Sequence, residues 1–162
     1  MRFLGALFVL GTTLILSTYD ASAGGTSGVT INHADEPEAT TPQGAVQKVC
    51  RGCHDLQIVT DTPKDYDAWH VTVQDMIDRG AVGTLAEFDL VMDYLYKNVT
   101  TIDVNHARPE DLGTILGASD STVQSIVKRR SERPFKNLKD LETVQGLDAP
   151  ALEAKKRMIF FN

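Results

Sequence analysis

Both cysteines of the 162-residue chain fall within five positions, Cys50-Arg51-Gly52-Cys53-His54. Two thiols three positions apart stand on one side of a helical turn. From there they can reach the two vinyl groups of one haem, and the adjacent imidazole can ligate the iron. Other chemistries also use cysteine pairs. A C-x-x-C redox site wants a preceding strand and a βαβ setting, whereas the residues before Cys50 read as helix. A zinc site wants a second ligand pair, and none stands at workable spacing. The pattern predicts covalently attached haem c on Cys50 and Cys53, with His54 on the iron. A sixth ligand is then needed, and imidazole and thioether both bind haem iron. Downstream stand His70, Met76 and Met92. Methionine in a capped helix, as at Met92, more often fills core. His70 points away from the apolar face that Met76 shares with Trp69 and Val73. Met76 also precedes Asp78-Arg79-Gly80-Ala81, a turn signal that ends its helix.

The elements that carry these residues read as helices throughout. Residues 42–50 put Ala45, Val46 and Val49 on one side. Residues 67–79 put Trp69, Val73, Met76 and Ile77 on one face. Thr84-Leu85-Ala86-Glu87 is a capping box, opening a helix that buries Phe88, Val91, Met92 and Leu95. No alternating strand pattern of useful length occurs, so the expected fold class is all-α.

Residues 43–99 resemble the small class I-type bacterial cytochromes c akin to the first haem domain of quinohaemoprotein amine dehydrogenases. The shared order is C-x-x-C-H, Trp69, Val73-x-x-Met76, Arg79-Gly80-Ala81, then a capped helix ending Tyr94-Leu95. The resemblance implies three or four helices wrapped on one haem, with His54 the proximal and Met76 the distal ligand. It also implies electron transfer with redox protein partners, among them a quinone-dependent dehydrogenase. Between Asp55 and Asp65 the relatives often carry basic residues; this chain is mostly acidic and neutral there. So small a domain builds an insufficient core by itself, and the haem is expected to complete it.

A second module follows. Asp111-Leu112-x-Thr114-Ile115-x-Gly117 returns 29 residues later as Asp140-Leu141-x-Thr143-Val144-x-Gly146, and Val123 returns as Leu152. Each copy spells helix, tight turn, helix. Neither buries its apolar side alone, so the two should stack into one four-helix unit, with Phe135 plugging the seam. This stretch resembles the tandem helix-hairpin-helix module of competence DNA receptors, in which an apolar-Gly-apolar-Gly turn offers backbone amides to a DNA phosphate. Here the turns read Leu116-Gly117-Ala118-Ser119 and Gln145-Gly146-Leu147-Asp148, so both second glycines are gone. Asp148 is expected to cap its own helix instead, and Ser119 and Asp120 to do likewise in the first copy. The module is read as a docking domain for protein. DNA binding through residues 102–162, in a haem-bearing DNA-binding or DNA-uptake protein, is the alternative.

Charge divides at the same joint. Residues 24–102 hold 5 Lys and Arg against 12 Asp and Glu, whereas residues 103–162 hold 10 against 9. A net charge of −6 over the chain argues against a surface devoted wholly to nucleic acid. Residues 1–23 have the form of a signal peptide: Arg2, an apolar run too short to span a bilayer, then Ala21-Ser22-Ala23. The expected organisation is therefore signal peptide 1–23, flexible leader 24–41, mono-haem cytochrome c domain 42–101 and tandem helix-hairpin-helix domain 102–162. A periplasmic or otherwise exported protein follows, with no stable membrane insertion after signal removal. No acid–base pair or nucleophile cluster stands out elsewhere, so an electron carrier is expected. A peroxidase-like activity would need an open distal position on the iron.

Overall fold

The computed structural model describes residues 37–162. The expected signal peptide and most of the leader lie outside the described residues. Eight α-helices are described: α1 (Pro42–Arg51), α2 (Gln57–Asp61), α3 (Tyr66–Asp78), α4 (Leu85–Asn98), α5 (Pro109–Leu116), α6 (Asp120–Glu132), α7 (Leu138–Leu141) and α8 (Ala149–Ala154). The fold is all-α, as the periodicity predicts. Strand pairing is confined to short pieces. β1 (Ile102–Asp103) lies parallel to β2 (Ile159–Phe160), and Lys64 bridges to Thr100. Among the described residues no helix is long and apolar enough to cross a membrane.

Two cores form. In the first, α1 lies along α4 and buries Ala45, Val46 and Val49, the three residues its spacing puts on one side. Pro42 opens α1, where a missing N–H costs nothing, and the Thr41 hydroxyl accepts the Gly44 N–H at 3.1 Å. α4 starts with the predicted capping box, with Thr84 and Glu87 each satisfying the other's free amide. Along α4, Val91 and Leu95 are buried, while Phe88 and Met92 are half-buried against the same core.

The second core sits in the repeat. Leu112 and Leu141, Ile115 and Val144, and Val123 and Leu152 are all buried, pair by pair at the 29-residue offset. Gly117 and Gly146 both take positive φ, 68° and 94°. Phe135 is buried at the seam, its backbone gripped by Asn105, which accepts the Phe135 N–H at 2.8 Å and donates to its carbonyl at 2.9 Å. The copies are unequal, because α7 and α8 are much shorter than α5 and α6. α8 ends early where a 3-10 turn over Lys156–Met158 swings the chain back to β1.

Contacts cross two of the expected boundaries. The leader does not run free to Thr41: Ala39 donates its N–H to Glu87 at 2.8 Å, and the Thr84 hydroxyl donates to Glu38 at 2.7 Å. The two modules also touch across residue 102. Met158, far along the second module, is buried in the first core with Trp69, Leu95 and Val99.

Candidate functional site

The last turn of α1 delivers Cys50, and a tight turn follows in which the Cys53 N–H meets the Cys50 carbonyl at 3.5 Å. Both thiols are free; Cys50 is half-buried and Cys53 exposed. Burial, then the neighbouring Cys53, pushes the Cys50 thiol up to about 11. A redox C-x-x-C pair activates a thiol in the opposite direction, by lowering its pKa. His54 Nδ1 lies 3.2 Å from the Asp55 carbonyl oxygen. A carbonyl only accepts, so this hydrogen bond places a proton on Nδ1 and, in the neutral ring, leaves Nε2 as the nitrogen that can ligate. Metal-ligating histidines are commonly set by such a bond at the other ring nitrogen.

Cys50, Cys53, His54 and Met76 all line one cavity of about 570 Å³, within the roughly 300–1,000 Å³ usual for cofactor pockets. Its walls are otherwise mostly apolar, with Val49, Val59, Trp69, Val73, Phe88, Val91 and Leu95 among them. This explains why Val73 and Met76, predicted on the inward face of α3, are only half-buried: they face the cavity. Lys64 and Arg79 are the cations on its lining. The Trp69 indole N–H donates to the Val99 carbonyl at 3.1 Å, which fixes the ring against the end of α4.

The sequence also explains how α3 presents Met76. Asp65 caps the helix start by accepting the Ala68 N–H at 2.7 Å. At the other end Gly80 takes φ 98°. The Ala81 N–H then reaches back to the Met76 carbonyl and the Gly80 N–H to that of Ile77, both at 2.9 Å, a Schellman closure. The predicted stop at Arg79-Gly80 thus leaves Met76 in the last helical turn, beside the cavity. The other two candidate ligands are elsewhere. His70 is exposed, edge-on to the Tyr66 ring, and Met92 is packed against the first core away from the cavity lining. Sequence reasoning missed Lys64, Thr72 and the residues of α2. Ile58 and Val59 carry a weak signal as an adjacent apolar pair; Lys64 carries none, since its place depends on the bridge to Thr100.

A second cavity, of about 540 Å³, lies at the joint and includes Asp65, Asp103 and Asp111. Three of its acids are engaged: Asp65 caps α3, Asp103 meets His106, and Asp111 meets Arg108 and the Tyr96 hydroxyl. Among the described residues no group of three or more His, Cys, Asp or Glu side chains is placed to hold a metal ion.

In the repeat module each hairpin satisfies its own helix start. Ser119 accepts the Thr122 N–H at 3.3 Å and Asp148 the Ala151 N–H at 3.4 Å, as their positions predict. Two basic runs, Lys128-Arg129-Arg130 and Lys155-Lys156-Arg157, are largely used within the chain. Arg129 pairs with Asp140 at 2.5 Å, and Arg130 donates to the Val104 carbonyl at 2.7 Å. Lys155 donates to the carbonyls of Lys97 and Ile115, at 2.7 and 2.6 Å. Lys156 pairs with Glu153, and Arg157 donates to the Asp61 carbonyl.

Fold and sites together define an all-α protein with one cysteine-bearing apolar cavity and a C-terminal pair of helical hairpins. Residues 97–159 carry a helix-hairpin-helix motif, matching that family over the end of α4 and through both repeat copies. No curated protein and no solved structure matches the chain.

Proposed function

We propose that the first module is a covalent mono-haem c-type cytochrome and that the chain is an exported carrier of single electrons. It would work between a periplasmic dehydrogenase, quinone-dependent by the resemblance, and a downstream acceptor. One observation carries this reading: both thiols of the C-x-x-C-H segment, the His54 ring and the Met76 thioether line the same apolar cavity. The donor set fits the group. Cys50 and Cys53 would form its thioether links, and His54 through Nε2 and Met76 through sulfur would ligate its iron. Haem bound there would supply a one-electron iron couple. The chain's own part is to orient these ligands and exclude water. Apolar walls and a thioether ligand both favour the reduced iron and so raise the potential.

The test is a spectrum of the reduced protein, produced with an export signal in a host that attaches haem c, followed by denaturing electrophoresis. Haem that stays with the denatured chain supports the reading; haem that leaves it, or a chain without haem, refutes it. The second reading, a haem-bearing DNA-binding or DNA-uptake protein, is favoured by the helix-hairpin-helix match. Against it stand the self-capped hairpins and the internally engaged cations, which support protein docking. Salt-titrated gel shifts separate the two, because DNA affinity falls steeply with salt.

A further inference from the structure

We propose that the helix-hairpin-helix module forms part of the supporting wall of the cofactor cavity, with Met158 and Arg157 as positioning residues for the haem. This rests on the haem reading above. The wall in question is made by α2 and Trp69. α2 has five residues and no side-chain cap, too short to hold its shape unaided, yet it contributes Ile58 and Val59 to the cavity.

What stands behind this wall comes from the far end of the chain. Met158 is buried in the cluster that contains Val59, Trp69 and Leu95, all three of which line the cavity. Arg157 donates to the carbonyl of Asp61, the last residue of α2, at 3.3 Å. Lys155 joins the final turns of α4 and α5 by donating to one carbonyl of each, a favourable place for a cation. The joint between the modules is held on both sides. Val99 accepts the Trp69 indole N–H, Thr101 donates to the Lys64 carbonyl at 2.8 Å, and Ile102 pairs with Ile159. Met158 and Arg157, carried by the last turns of the second module, therefore hold α2 and Trp69 in place. If the support is loosened, water reaches the haem. Water favours the more highly charged oxidised iron, so the potential falls.

The experiment uses the full-length, haem-loaded chain and four variants: Met158→Ala, Met158→Leu, Arg157→Ala and Val144→Ala. Val144 is buried in the second core and takes no part in the first. Met158→Ala should lower the reduction potential and weaken the Met-to-iron charge-transfer band; Arg157→Ala should move both the same way by less. Met158→Leu should restore both. Val144→Ala should lower the melting temperature and leave potential and band in place. The proposal is overturned if Met158→Ala, or Arg157→Ala should the former not accumulate, changes melting alone. It is equally overturned if Val144→Ala shifts the potential as much. Absence of covalent haem would sink the functional reading instead. The wall would then be read from Trp69, the single tryptophan: its emission should shift to the red in Met158→Ala but not in Val144→Ala, and an unchanged emission refutes the support.

Discussion

Glu87 is the most heavily bonded charge in the first module, and replacing it tests how α1 is held. Its carboxylate is 1% exposed and takes three donors: the Ala39 N–H at 2.8 Å, the Lys48 ammonium at 2.8 Å and the Thr84 N–H at 2.9 Å. These bonds, that from Ala39 foremost, lower its pKa from 4.5 to about 2. At about 1.4 kcal/mol per unit, such a shift corresponds to about 3–4 kcal/mol of stability, reduced to about 2–3 kcal/mol once solvent at the Lys48 edge is allowed for. Because the folded-state pKa is depressed, this stability is fully present above about pH 4.5 and is lost as the pH falls towards 2. Glu87→Gln keeps the shape and removes the charge. At pH 7 it should lower the melting temperature by about 4–12 °C, and the gap to the parent should close progressively below pH 4.5. Melting curves of both proteins from pH 7 to pH 3 provide the measurement. A variant as stable as the parent at pH 7, or a gap that stays constant down to pH 3, would refute the view that an ionised Glu87 pins α1 and the segment before it onto α4.

Cys50→Ala with Cys53→Ala should yield a chain that loses its haem on denaturing extraction, read by haem staining of a gel; retained haem would place the links elsewhere. Met76→Ala should abolish the Met-to-iron charge-transfer band and lower the potential, since thioether ligation favours reduced iron. Met92→Ala should keep the band and cost up to about 2–5 kcal/mol in denaturant unfolding; the reverse pattern would move the ligand role to Met92. Gly146→Ala should destabilise the second module by about 1–3 kcal/mol, because its φ is 94° and a Cβ there would stand 2.3 Å from Thr122 Oγ1; unchanged melting would refute this account of the hairpin. The full chain should bind duplex DNA near physiological salt no better than the about 10⁻⁴–10⁻⁶ M of non-specific contacts, measured by gel shift; tight binding lost in Lys128→Gln would overturn the protein-docking reading.

Local patterns read well wherever one element decides its own structure. The spacing of Ala45, Val46 and Val49 predicts which face of α1 is buried, and Thr84 with Glu87 predicts the start of α4. Arg79-Gly80 predicts the end of α3, and the 29-residue offset predicts six buried positions pair by pair. The four residues singled out by chemistry line a common cavity because three lie in one short segment and the fourth sits on a helix whose apolar face was legible. The illegible parts depend on contacts distant in sequence. Glu87 reads as one half of a capping box, and nothing local reveals that its second oxygen reaches Ala39. Met158 lies in a basic stretch with no periodicity to mark it as core. The two-residue strands are too short for alternation to show, and their pairing joins residues far apart in the chain.

These long-range contacts bear on what the second module does. Of Lys128-Arg129-Arg130 and Lys155-Lys156-Arg157, every residue but Lys128 donates to a group within the chain. A phosphate backbone recruiting Arg157 or Lys155 would have to compete with carbonyls that those cations already cap. Withdrawing them would also loosen α2 and the ends of α4 and α5. The same geometry answers the difficulty of a small first module. About 60 residues bury too little surface to be robust alone, and here the first core gains Met158 from its neighbour. In this view the helical hairpins are first a support for the cavity. The proposed docking would then fall to surfaces that this support leaves free, and acidic residues outnumber basic ones in the first module.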